Sequence, residues 1–239
     1  MKRVLITGGG SGIGRAIAQD FAQAGNSVTI AGRRMAQLEE TAKGHKMQCK
    51  TVDVTDEGSV ADLFDAPFDI VIANAGAGTA TQVAEMPLKE WNDTIAVNLT
   101  GTFLTFRAAL KGMQPGGRLI AIASIASLKG GANIAAYAAA KHGVLGLVRS
   151  LAVEVARKGI TCNAVCPGFV DTDMGQAAVT GVMKRLDIPR EKAEKMVVGG
   201  NPLRRMIQPE EVVAAARFLA SEGASMVNGH AMSVSGGEI

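Results

Sequence analysis

The chain of 239 residues predicts an α/β fold: one domain in which a doubly wound, seven-stranded parallel sheet lies between two layers of helices. Three observations predict it. Short apolar runs rich in β-branched residues alternate with longer segments of helical period, the pattern of repeated βαβ units. The strand candidates are apolar throughout, so both sheet faces are expected to be covered. A glycine-dense turn follows the first strand and opens the first helix. The length suits one large domain and is short for two.

Strands are expected over 3–7, 27–31, 47–52, 68–73, 118–123, 160–165 and 230–234. Between them the clearest helical periods cover 12–24, 88–110, 137–157 and 209–220. Pro209 sits where its fixed φ suits the first helical position. The helix between Thr55 and Pro67 is short, which trims the third crossover. From Asp171 to Gln208 the rhythm breaks into methionines, charges, Gly199-Gly200 and Pro202, so 171–208 is expected to be a mobile helical lid inserted in the domain. There are no internal repeats or low-complexity tracts.

Composition removes several classes of function. Hydrophobic residues at 47% and charged residues at 20% exclude disorder and collagen-like repeats. Lys+Arg at 25 against Asp+Glu at 22 leave a net charge of +3, too small a surplus for a nucleic-acid partner. Met1-Lys2-Arg3 precedes only Val4, Leu5 and Ile6 before glycines, too short for a signal peptide, and no run is long enough for a membrane span. Cys49, Cys162 and Cys166 are an odd set without secretory context, better read as reduced thiols of a cytoplasmic protein than as disulfides. Neither they nor His45, His142 and His230 have metal-site spacing. The 29 glycines imply much tight turning or close approach.

Val4-Leu5-Ile6-Thr7 runs into Gly8-Gly9-Gly10-Ser11-Gly12-Ile13-Gly14 and then Arg15-Ala16-Ile17. A strand, glycine turn and helix in that order aim backbone N–H groups and the positive helix end at an anion, and glycine lets a pyrophosphate approach the main chain. A Walker A loop would need Lys and then Ser or Thr after Gly14, where Arg15 and Ala16 stand. The glycines instead follow TGxxxGxG through Thr7, Gly8, Gly12 and Gly14. At the end of the second strand an acidic residue would bind the free ribose hydroxyls of NAD, whereas arginine accommodates a 2′-phosphate. Gly32 occupies that place, followed by Arg33 and Arg34, so the expected cofactor is NADP(H). Asp53-Val54 could hold the adenine edge, and Asn74-Ala75-Gly76 follows the fourth strand at another carboxyl end.

Tyr137 and Lys141 are four apart in a helical pattern and share a face. A tyrosine titrates near 10 and a nearby ammonium favours its charged form, so Lys141 is expected to lower the Tyr137 pKa toward working pH. Ser124 ends the fifth strand and could bond the same substrate oxygen.

On these motifs, in this order, the chain resembles the short-chain dehydrogenase/reductase family in its compact single-domain form, with a Rossmann-like fold. The likeness runs from Thr7 through Asn74-Ala75-Gly76, Asn98, Ser124, Tyr137, Lys141 and Pro167-Gly168 to Gly236-Gly237. It implies that Tyr137 is the general acid/base, that Lys141 lowers its pKa while holding the nicotinamide ribose, and that Ser124 orients the carbonyl. It implies that Asn98 anchors a water relaying protons to Lys141, and that Pro167, Gly168, Val170 and Thr172 touch the carboxamide side of nicotinamide. The cofactor-binding set read this way is Thr7, Gly8, Ser11, Gly12, Ile13, Gly14, Arg33, Arg34, Asp53, Val54, Asn74, Ala75, Gly76, Tyr137, Lys141, Pro167, Gly168, Val170 and Thr172. The first residue of the family's NNAG is Ala73 here. Homotetrameric assembly is the family default, and the two longest helical segments are apolar over much of their circumference, as self-associating helices are.

For the substrate, Leu203-Arg204-Arg205-Met206 and Asn163-Ala164-Val165-Cys166-Pro167-Gly168-Phe169-Val170 look most like 3-oxoacyl-thioester reductases and polyketide ketoreductases. The lid's Lys184, Arg185, Arg190, Lys192, Lys195, Arg204 and Arg205 outnumber its acids and would attract a coenzyme A or carrier-protein thioester. Pro115 stands where carrier-protein reductases tend to have a base, so a small thioester or ketone fits better. An NAD(P)-dependent alcohol or hydroxyacyl-CoA dehydrogenase working oxidatively is the alternative enzyme. A regulator that binds NADP without chemistry would have no need of a tuned tyrosine.

Overall fold

The computed structural model describes residues 1–239. Seven parallel strands form one sheet in the order β3-β2-β1-β4-β5-β6-β7. They are β1 (Arg3–Thr7), β2 (Ser27–Gly32), β3 (Met47–Thr51), β4 (Ile70–Ala73), β5 (Arg118–Ile122), β6 (Thr161–Pro167) and β7 (Ala231–Val234). The order reverses between β1 and β4, which opens a crevice at the carboxyl ends of those two strands. No strand end departs from the sequence expectation by more than two residues.

Successive strand residues point to opposite faces, and each face has its own core. Leu5, Val71, Leu119 and Ala121 face one way, against Leu104, Phe106, Val144 and Val148. Those side chains come from α5 (Gly101–Leu110) and α6 (Ala135–Val155). Val4, Ile6, Ile72 and Ile120 face the other way, against Ile17, Phe21, Leu38, Val212 and Leu219. These lie on α1 (Gly12–Gln23), α2 (Met35–Ala42) and α9 (Pro209–Ala220). Phe106 is fully buried, so truncation to alanine costs about 3–5 kcal/mol.

The expected helix over 88–110 is present without a gap, as α4 (Leu88–Ile95), a π turn, Ala96–Thr100, and α5. Asn98 sits within this turn, and its side-chain Nδ2 donates to the Thr94 carbonyl at 2.9 Å and to the Ala77 carbonyl at 2.8 Å. It takes a carbonyl the regular ladder would have used, and π turns of this kind cluster at functional sites. The short α3 (Glu57–Ala61) is the trimmed third crossover.

The segment 171–208 contains α7 (Asp173–Leu186) and α8 (Arg190–Val197). Val179, Ala193, Val198 and Met206 bury one another in a small cluster of their own. A parallel bridge between Val170 and Ile207 closes its base. No helix is long and apolar enough to cross a membrane.

Candidate active site

The glycine turn is built by close approach. Gly8 and Gly12 have φ of +67° and +51°, a region L side chains rarely adopt. A Cβ on Gly14 would run into the Gly8 carbonyl oxygen and Asn74 Nδ2. That amide donates to the carbonyls of Thr7 and Gly8, at 3.0 and 3.1 Å. Thr7 Oγ1 accepts from the backbone N–H groups of Asn74 (3.1 Å) and Ala75 (3.2 Å). Thr7 and Asn74 thus fasten the turn after β1 to the end of β4. Arg15 is committed too, donating to the Gly10 carbonyl at 2.8 Å and to Thr41 Oγ1 at 3.1 Å. The anion-binding capacity of this turn therefore rests on backbone N–H groups and the start of α1.

A cleft of about 830 Å³ runs along the carboxyl ends of the strands, within the size range of cofactor sites. Gly8, Ser11, Gly12, Ile13, Arg33, Arg34, Asp53, Val54, Asn74, Ala75, Gly76, Asn98, Tyr137, Lys141 and Thr172 line it. Arg33 and Arg34 are exposed and neither has an ion-pair partner. Asp53 accepts from the N–H of Thr55 at 2.9 Å and its hydroxyl at 2.7 Å. These bonds hold its carboxyl below the usual range, with a smaller contribution from the Arg33 charge.

At the other end of the cleft, α6 places Tyr137 in its first turn and Lys141 one turn later. Lys141 Nζ lies 5.6 Å from the Tyr137 ring centroid and donates to the Ile122 carbonyl at 3.0 Å. Burial drives the Lys141 pKa down to about 8, with Cys166 acting weakly the other way. Burial raises the Tyr137 hydroxyl, and hydrogen bonding to Ser124 lowers it by less. The expectation that Lys141 would pull Tyr137 down is therefore corrected: desolvation of the phenolate outweighs any stabilising charge. Ser124 Oγ also accepts from the Ala126 N–H at 3.1 Å. The Asn98 side chain is fully buried. Its Oδ1 has no partner and a Cβ on Gly76 would lie 2.7 Å from it and 3.6 Å from Lys141 Nζ. An orphaned buried acceptor beside an ammonium fits an ordered water.

The structure does not bring every expected residue to the cleft wall. Thr7 and Gly14 sit behind it as buried supports. Pro167, Gly168 and Val170 do not line it: Gly168 donates its N–H to the Val234 carbonyl, and Val170 is taken up in the bridge to Ile207. Thr172 does, capping α7 with its side chain against Gly12. Sequence reasoning missed Gln37, Leu38, Glu90, Asp93 and Thr94, all on the wall. Counting back from Asn98 at helical spacing would have reached Thr94 and Glu90. Gln37 and Leu38 follow Arg33 and Arg34 into α2, which only the packing of Gly10 on Gln37 reveals.

Comparison with known proteins finds relatives over nearly the whole chain. The family described as enoyl-(acyl carrier protein) reductase matches residues 8–238. D-beta-hydroxybutyrate dehydrogenase of Cupriavidus necator is 34% identical over 250 residues, covering 99% of this chain and 97% of that protein. The 3-oxoacyl-(acyl-carrier-protein) reductase of Aquifex aeolicus is 36% identical over 247 residues, covering 98% and 95%. The crystal structure of an actinorhodin polyketide ketoreductase with NADPH superposes with a TM-score of 0.94 at 33% identity, covering 99% of this chain and 97% of that one.

Proposed function

The chain belongs to the short-chain dehydrogenase/reductase family, and from that premise we propose that it is an NADP(H)-dependent reductase of a 3-oxoacyl thioester or a related ketone. One observation carries the reading. Tyr137, Lys141 and Asn98, whose Oδ1 is orphaned, line one end of a cleft, with Ser124 off the wall and hydrogen-bonded to Tyr137, and the other end presents two arginines free of ion pairs.

The residues present fit the cofactor. Backbone N–H groups of the turn from Gly8 to Gly14 and the start of α1 suit a pyrophosphate. Arg33 and Arg34 suit a 2′-phosphate, and Asp53 and Val54 would border the adenine. When bound, reduced nicotinamide supplies a hydride to the carbonyl carbon. The C=O electron pair then moves to oxygen, which takes a proton from Tyr137 Oη while Ser124 Oγ–H donates a hydrogen bond to it. Lys141, with its pKa near 8, can return a proton to Tyr137, fed through a water held by Asn98. A tyrosine raised by burial stays protonated near neutral pH, so it is equipped as the proton donor that carbonyl reduction needs. The oxidative alternative has one supporting observation, the hydroxybutyrate dehydrogenase relative.

The lid bases Lys184, Arg185 and Lys192, which have no ion pair, support a thioester of coenzyme A or a carrier protein as substrate, with 171–208 closing over it. Homotetrameric assembly is supported by exposed Leu88, Trp91 and Phe103 on α4 and α5 and Val153 on α6, with Phe218 on the opposite layer. Three free thiols suit a cytoplasmic setting. The test is a panel of acetoacetyl-CoA, cyclic ketones and quinones followed by NADPH absorbance, repeated with NADH. Oxidation of NADPH by at least one ketone, faster than of NADH, is expected. No oxidation with any ketone overturns the reductase reading, and a preference for NADH overturns the cofactor assignment.

A further inference from the structure

Gln37 lines the cleft together with Gly10, Arg33 and Arg34, in the first turn of α2, whose N-cap is Arg34. Its backbone is engaged and its side chain is not. The N–H donates to the Arg34 carbonyl at 3.1 Å, and the carbonyl accepts from Thr41 Oγ1 at 3.0 Å. No hydrogen bond within the protein reaches the half-buried side-chain amide.

A chain of bonds fixes this residue against the glycine turn. Arg15 Nη2 donates to the Gly10 carbonyl at 2.8 Å and its Nε to Thr41 Oγ1 at 3.1 Å, so Arg15 and Thr41 join Gly10 to Gln37. The two also touch directly: a Cβ on Gly10 would lie 3.2 Å from the Gln37 Cβ. Thr41 is fully buried, and its carbonyl accepts from Gln19 Nε2 of α1 at 3.2 Å. An uncommitted amide is thus braced on the cleft wall, touching the turn that suits a pyrophosphate on one side and following the two arginines on the other.

We infer that Gln37 is a specificity-determining residue for the cofactor: its side-chain N–H donates to the 2′-phosphate of NADPH, as a third ligand beside Arg33 and Arg34. The inference rests on the NADP(H) assignment above and deepens it. A phosphate near neutral pH chiefly accepts hydrogen bonds, and one donated to it by an amide is charge-assisted. A free ribose hydroxyl carries no charge, so the same amide holds NADH less strongly. Arg15 cannot take this part, because Gly10 and Thr41 already occupy its guanidinium. Arg33 and Arg34 are exposed and supply charge from flexible stems, whereas Gln37 supplies a donor at a fixed point.

The experiment measures dissociation constants for NADPH and NADH by titration calorimetry, without substrate, in the parent protein, Gln37→Met and Gln37→Glu. Methionine keeps the length of glutamine and removes the donor, whereas glutamate keeps the shape and adds a charge. The parent is expected to bind NADPH the more tightly. In Gln37→Met the dissociation constant for NADPH is expected to rise roughly tenfold, the worth of one hydrogen bond to a charged group, with that for NADH within about twofold of the parent. In Gln37→Glu the rise for NADPH is expected to be larger, because a carboxylate meets a phosphate, while NADH binds as well as before or better. A value for NADPH in Gln37→Met within about twofold of the parent overturns the inference. Equal weakening of both cofactors overturns it too, since that marks a packing role. If Gln37→Met melts early, Gln37→Glu decides, and NADPH binding no weaker than in the parent overturns the inference. A parent that binds NADH the more tightly overturns the NADP(H) assignment and this inference with it, whereas a parental preference for NADPH that is indifferent to Gln37 overturns this inference alone.

Discussion

Tyr137 and Lys141 show how burial and charge compete at a single pair of side chains. Their four-residue spacing was legible as a shared helix face, and Ser124 as the end of a strand. The sign of the Tyr137 shift was not, because desolvation depends on what covers the hydroxyl. Lys141 loses its own affinity for the proton to the same burial, down to about 8. Reductive turnover is therefore expected to hold steady below that value and to fall as pH rises through about 8, when Lys141 can no longer return a proton to Tyr137. A pH profile of kcat checks this, and a rate rising across the same range would contradict it. Arg33 was equally legible, since cofactor choice is read at the end of one strand. Arg33→Asp should raise KM for NADPH by roughly tenfold to a hundredfold, the worth of a charge-assisted hydrogen bond, while lowering KM for NADH, whose free ribose hydroxyls the new carboxylate can bind.

At the scale of elements, the central strands were legible because a strand covered on both faces must be apolar throughout, as Val4-Leu5-Ile6 and Ile70-Val71-Ile72 are, whereas the edge strand β3 carries Gln48 and Lys50 and has no buried residue. The π turn was not legible, since the helical period continues through it and only the Asn98 amide bonding to Thr94 marks it. The cleft-lining face of α4 was hidden for the same reason. The glycine turn was legible as a phosphate cradle, but not the division of labour within it, where Gly14 serves packing and Gly12 borders the cleft. Gly14→Ala is expected to cost about 1–3 kcal/mol, the usual penalty of overpacking, and to weaken NADPH binding. Thermal melting and an NADPH titration measure the two effects, and a variant with parental values for both would refute the close-packing argument.

For the whole molecule, the doubly wound order brings the ends of β1 and β4 together and so joins residues as distant as Gly8 and Lys141 in one cleft. That closure was legible from the order of motifs, whereas the bonds that tie the lid region to the body were not. Arg205 donates to both carboxylate oxygens of Glu211, at 2.7 and 2.6 Å, and Glu211 also accepts from the Gln208 N–H at the start of α9. These bonds hold Glu211 down to about 2. A carboxyl depressed in the fold favours folding above its ordinary range, and the benefit is lost as pH falls from there through about 2. The pair is partly exposed, so after solvent screening its share is under about 1 kcal/mol. Glu211→Gln should lower the melting temperature slightly at neutral pH, and the difference should shrink on acidification below the ordinary carboxylate range. Assembly is a claim at the same scale: light scattering should give about four times the 24.7 kDa of one chain.

The most direct test of the central claim is Tyr137→Phe, with NADPH binding and ketone reduction measured on the same preparation. The expected result is a dissociation constant for NADPH within about twofold of the parent, because the ring stays in place, and a kcat lower by about 10²–10⁴-fold, because the proton donor is gone. Full turnover in Tyr137→Phe would contradict the assignment and leave the cleft a nucleotide site without the chemistry attributed to it.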